Sequence, residues 1–118
     1  MVTIAYVMAW AGAIWGAYLG YVWWTDPDRA LRLTTHHREN LPNVMGDRHL
    51  GLALLAVGVL LFGTLELVAF LFAGGAVMAF GDSLIYIRAG KPHTKHTATG
   101  VFALVGLGVT LAAIVSAS

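Results

Sequence analysis

The chain has 118 residues, 58% of them hydrophobic and only 11% charged, against roughly 25% charged in ordinary soluble domains. With fourteen glycines and a mean hydropathy of +0.76, this balance is wrong for a water-soluble monomer and points to a single integral membrane domain over residues 1–118. The absence of cysteine excludes disulfides, iron–sulfur clusters, thiolate zinc sites and dithiol relays, and a formal charge of +1 gives no basis for nucleic-acid binding.

From Val2 to Trp24 no residue is charged, and about 23 residues at about 1.5 Å each span roughly 34 Å, enough for a hydrocarbon core of about 30 Å. The stretch lacks a basic start and ends in Val22-Trp23-Trp24, so it reads as a first membrane span rather than a cleaved signal peptide. A polar loop over residues 25–44 follows, in which Asp28 to Leu33 could form a short interfacial helix that Pro42 stops. The apolar tract from Met45 to Ile87 is long enough for two spans, read as about 45–63 and 66–88. Gly63-Thr64-Leu65-Glu66 makes the turn, and Glu66 suits the positive end of the helix dipole. A last span runs over about 97–117. These elements predict an all-α, four-helix up-down-up-down membrane bundle.

All seven Lys and Arg residues fall on the side of the two longer loops. The positive-inside rule makes that side cytoplasmic and puts both termini outside, with Trp23, Trp24 and Tyr86 as interfacial anchors. Gly12, Gly16 and Gly20 form a flat stripe on the first span, and Gly108, Ala112 and Ser116 form another on the last. Such stripes serve close helix packing, either inside one bundle or between copies in a homo-oligomer.

The five histidines and every acid except Glu66 share the cytoplasmic half. Asp82 is the most exacting of them, because it lies inside the third span, where a carboxylate costs about 2.5–3.5 kcal/mol if central and less near the interface. Antiparallel pairing about a turn near residue 65 sets Arg48 level with Asp82, so a charge-assisted Arg48–Asp82 pair is expected. That pair either locks the helices in register or belongs to a pocket. In the pocket reading Asp82, His49 and His96 are the acid/base groups, and Arg48, Arg88, Asp47 and Tyr86 hold the substrate. His93 and His96, three residues apart, could place two imidazoles on one metal, with Asp82, Asp47 or His49 completing the set. No His-Glu-x-x-His or Glu-x-x-His motif accompanies them. No metal or cofactor is therefore assigned, and no phosphate loop or nucleophile elbow is present.

Gly46-Asp47-Arg48-His49-Leu50, Gly81-Asp82, Arg88-Ala89-Gly90, His96 and Gly100 together resemble small four-helix membrane proteins of unknown function, loosely DoxX-like. Arg48, Asp82, Arg88 and His96 match that pattern, whereas His49 stands where an acid or amide is expected. The resemblance implies the four-helix architecture and a site at the polar end, but it supplies no reaction. Some DoxX-like proteins are linked to quinone chemistry, and this chain lacks the cysteines a dithiol partner would require. The leading functional reading is binding of a lipophilic small molecule from the bilayer at the polar end, with cofactor-independent acid/base isomerisation or cyclisation as the chemistry. The second is a structural or accessory membrane subunit. The third, a transporter or channel-like oligomer, suffers from the lack of polar residues in the outer half.

Overall fold

The computed structural model is all-helical, with no strand among the described residues. It describes every residue apart from the side chains of Ala5, Tyr6, Asn43, Gly46, Asp47, Leu50 and Gly51. In chain order come α1 (Val2–Thr25), α2 (Pro27–Thr34), α3 (Leu41–Phe62), α4 (Leu65–Arg88) and α5 (Thr94–Ala117), with a 3-10 turn over Arg38–Asn40 before α3. Helices α1, α4 and α5 each have 24 residues and are long and apolar enough to cross a membrane; at 1.5 Å per residue each reaches about 36 Å. Within α3 the stretch Leu52–Phe62 is apolar. By its contacts the chain divides into two compact units, Met1–Arg48 and His49–Ser118.

In the first unit a single residue closes one helix and opens the next. The Asp26 backbone N–H donates to the Val22 carbonyl at 2.8 Å, and Asp26 Oδ1 accepts from the Arg29 N–H at 3.0 Å. That bond satisfies one of the four amides a helix start leaves without a partner, and Pro27 occupies the first position, where no amide is needed. The amphipathic α2 buries Ala30, and Val22 is buried on α1. Arg29 Nη2 donates to Tyr18 Oη at 2.9 Å, the Tyr18 ring lies tilted against Trp15, and Arg38 pairs with Asp28.

The short helix expected over Asp28 to Leu33 is present, but Pro42 does not end it. Pro42 is the second residue of α3, where its missing N–H costs nothing. The stop is Thr35, in the left-handed conformation at φ 55°. Its N–H reaches the Arg32 carbonyl and the His36 N–H reaches that of Leu31, the paired bonds of a Schellman ending. A β-branched residue is strained there. Thr35→Gly is expected to stabilise the protein by about 1 kcal/mol, read as a higher midpoint in thermal unfolding in detergent.

In the second unit α3 ends at Gly63, whose N–H donates to the Val59 carbonyl at 2.9 Å. A Cβ on Gly63 would stand 2.5 Å from that same oxygen, so the turn into α4 requires glycine. Helix α4 ends in a second Schellman motif. Gly90, at φ 65°, donates to the Ile87 carbonyl, and Lys91 donates to that of Tyr86. Gly90→Ala places a Cβ in the left-handed region and is expected to cost about 1–2 kcal/mol, measurable as a lower unfolding midpoint.

The α4–α5 pair is built inside out compared with a water-soluble hairpin. Small side chains fill the seam: Ala69, Ala76, Ala79 and Ser83 on α4 and Gly100, Ala103 and Thr110 on α5 are buried. Phe70, Val77, Phe102 and Val109 are turned outward. Close backbone approach through small residues, with large apolar groups facing outward, is the arrangement lipid favours, because lipid leaves no hydrophobic drive between helices. The seam uses a different stripe from Gly108, Ala112 and Ser116. Gly108 has no neighbour within 4 Å of its Cβ position, and Ala112 and Ser116 are exposed. These features are compatible with an integral membrane protein.

Candidate functional site

Asp82 and Ser83 are adjacent on α4, about 9 Å along the axis from its end at Arg88. The tight Gly90 ending brings the start of α5 back beside them. The two helices pair antiparallel, with Phe80 over Gly100 and Phe72 over Gly106 and Ser83 bonded to Thr97. His93 is the N-cap of α5, and His96 and Thr97 lie in its first turn.

Two sets of contacts form there. His96 Nδ1 stands 3.6 Å from Asp82 Oδ2, within ion-pair range, and the His96 ring lies tilted on Tyr86 with centroids 4.7 Å apart. The carboxylate remains 53% exposed and the imidazole 35%, so both are open to a ligand. Beside them, Ser83 Oγ and Thr97 Oγ1 share a hydrogen bond of 2.6 Å, Thr97 Oγ1 and His93 Nδ1 share one of 2.9 Å, and Ser83 Oγ lies 3.5 Å from His93 Nδ1. Ser83 is only 4% exposed. A buried hydroxyl requires a partner, and Thr97 supplies it from across the helix pair.

Of the residues singled out in the sequence, Asp82, His96 and Tyr86 come together. Arg88 is exposed in the last turn of α4, where a cation suits the negative end of the helix dipole. Arg48 and His49 are exposed on α3, Arg48 closing the first unit and His49 opening the second. Asp47 falls outside the described side chains. Among the described residues the ion-pair partner of Asp82 is His96. No three metal-ligating side chains converge among the described residues. Instead of facing one centre, His93 turns to hydroxyls and His96 to a carboxylate.

A family model described as a domain of unknown function, DUF4267, matches residues 13–115. The chain belongs to the DUF4267 family. No curated protein and no solved structure matches it.

The polar cluster of this DUF4267 chain includes Ser83 and Thr97, which the sequence reading passed over. Both look like ordinary small packing residues, yet their spacing carried a signal. Around a turn near residue 90, residues at equal depth on α4 and α5 have numbers summing to about 180, which pairs Ser83 with Thr97. A groove of about 290 Å³ also lies along this helix pair, lined by Glu66, Ala69, Phe70, Ala73, Leu107, Leu111 and Ile114. It is at the opposite end from Asp82 and separate from the polar cluster.

Proposed function

We propose that the protein is an integral membrane four-helix bundle, α1, α3, α4 and α5 running up-down-up-down. Its polar loops are cytoplasmic and both termini lie on the other side. It takes a lipophilic small molecule from the bilayer and presents that molecule's polar head to Asp82 and His96, where acid/base isomerisation or cyclisation proceeds without a cofactor. The observation that carries this reading is the half-exposed Asp82–His96 pair, with Tyr86 against the imidazole, at the polar end of an otherwise apolar helix pair. A carboxylate and an imidazole within ion-pair range of each other are the kinds of group that such acid/base chemistry uses. Arg48, Arg88, Asp47 and His49 belong to the proposal as further contacts to the head, and likeness to DoxX-class proteins belongs to it as an architectural reading. The test is Asp82→Asn: a lipophile copurifying with the wild-type protein, identified by mass spectrometry, should be neither retained nor converted by the variant.

The proposal includes a homo-oligomer built on α1. Gly12, Gly16 and Gly20 lie four residues apart on α1, the spacing of a flat small-residue stripe on which a second copy of the helix can pack closely. Gly16→Leu is expected to shift a cross-linked dimer band to monomer in membranes. An unchanged band removes the oligomer from the proposal.

A further inference from the structure

We propose that the turn joining α4 to α5 is a docking surface for anionic phospholipid headgroups, carried by Arg88, Lys91 and Lys95; this rests on the membrane reading above and not on its acid/base chemistry. The formal +1 of the whole chain hides an asymmetry between its two units. In Met1–Arg48 four acids offset four arginines. In His49–Ser118 the acids are Glu66 and Asp82, and no acid follows Asp82 to the end of the chain.

The placement of these groups leaves three cations uncompensated at one end of the helix pair. Glu66 lies in the first turn of α4, about 33 Å along the axis from Arg88. Asp82 is engaged by His96 at 3.6 Å. Arg88, Lys91 and Lys95 are exposed, and among the described residues none of them makes an ion pair. The first unit differs, with Arg38 paired to Asp28 and Arg29 held by Tyr18. The start of α5 has neither an acid in its first turn nor a side-chain cap, so the positive end of its dipole adds to the same field.

The fold also holds the three cations near one depth. Arg88 is the last residue of α4 and Lys95 the second of α5. Gly90 turns the chain at φ 65°, and the Lys91 N–H donates to the Tyr86 carbonyl at 2.9 Å, which draws the connection back against α4. Helices of 24 residues reach about 36 Å against a hydrocarbon core of about 30 Å, so their ends stand at headgroup level. Lipid phosphates occupy that level, and the aliphatic stems of lysine and arginine let their charged heads reach them. The bilayer then supplies the counter-charge that the protein does not. Each such cation strengthens attraction to an anionic surface about fivefold, and salt weakens it.

The test is lipid retention. Protein from vesicles of equal phosphatidylcholine and phosphatidylglycerol is taken into detergent, and the lipids it keeps are read by native mass spectrometry. Wild-type protein is expected to prefer phosphatidylglycerol about 100-fold, about fivefold from each cation. Lys91→Gln and Lys95→Gln should each lower that preference about fivefold, and Lys91→Arg and Lys95→Arg should keep it. Arg32→Gln, in the unit whose charges balance, should change it by less than about twofold. If Arg32→Gln costs as much as Lys91→Gln, the attraction belongs to every basic residue alike and the turn is not a docking surface. If inorganic phosphate releases the lipid better than chloride at equal ionic strength, the turn is a free-phosphate site and the lipid is overturned. Protein that resists an alkaline wash of the vesicles yet keeps both lipids alike overturns the surface and leaves the membrane reading standing. Protein released by that wash overturns both.

Discussion

Under the proposed acid/base function, Asp82→Asn is expected to lower conversion of a copurifying lipophile by about 10²–10⁴-fold, the usual worth of a positioned acid/base group, while the protein stays folded. The substitution keeps the shape of the side chain and removes its charge. An amide carries no charge, so the imidazole of His96 loses its acidic neighbour. Because the Asp82 side chain is 53% exposed, the isosteric amide leaves the helix seam unchanged, and the fold loses little. The measurement is conversion per folded molecule, set beside thermal unfolding of the same preparation. A variant that converts the lipophile normally but unfolds earlier would make the Asp82–His96 contact a helix clamp, and the accessory-subunit reading would take over. Liposome flux abolished by the same substitution would favour the transporter reading instead.

The long helices were legible because an apolar run of about 20 or more residues with few charges has few other uses. The first expected span ends within one residue of α1, and the third agrees with α4 as closely. The errors come from polar residues at helix starts. Pro42 was read as a stop although proline is welcome in a first turn, so α3 begins four residues earlier than expected. Thr94, Lys95 and His96 were read as loop, yet they form the first turn of α5, with His93 as its N-cap. Depth was also legible: the arithmetic applied to the turn near residue 65 would have paired Ser83 with Thr97 had it been applied near residue 90. Rotation was not. Helices α4 and α5 are apolar on every side, so no amphipathic stripe tells which face meets which. Two small-residue stripes on α5 then compete on equal terms in the sequence. The choice is made by bulky partners on α4: Phe72 and Phe80 need glycine opposite them, and Gly106 and Gly100 supply it, whereas Gly108 faces open space.

That choice predicts the largest effect on stability. Gly106→Ala is expected to cost about 1–3 kcal/mol, the range for overpacking a tight contact, although alanine is the better helix former. A Cβ at position 106 would stand 2.6 Å from Phe72 Cζ and 2.7 Å from its Cδ1, well inside van der Waals contact. The Phe72 ring must then swing out of the seam, giving up its edge contact with Phe102, or the helices must separate. Shortening the obstacle should undo the damage. Phe72→Leu combined with Gly106→Ala should recover much of the loss, a coupling that a double-mutant cycle reads directly. Gly108→Ala serves as the control and should be neutral or stabilising by about 0.5–1 kcal/mol. If Gly106→Ala and Gly108→Ala unfold alike, the seam does not run where it has been placed. Separation of the helices would also widen the 3.6 Å contact of His96 with Asp82, which depends on the same antiparallel register. Gly106→Ala should therefore reduce ligand retention in proportion to its loss of stability, and the Phe72→Leu rescue should restore both together.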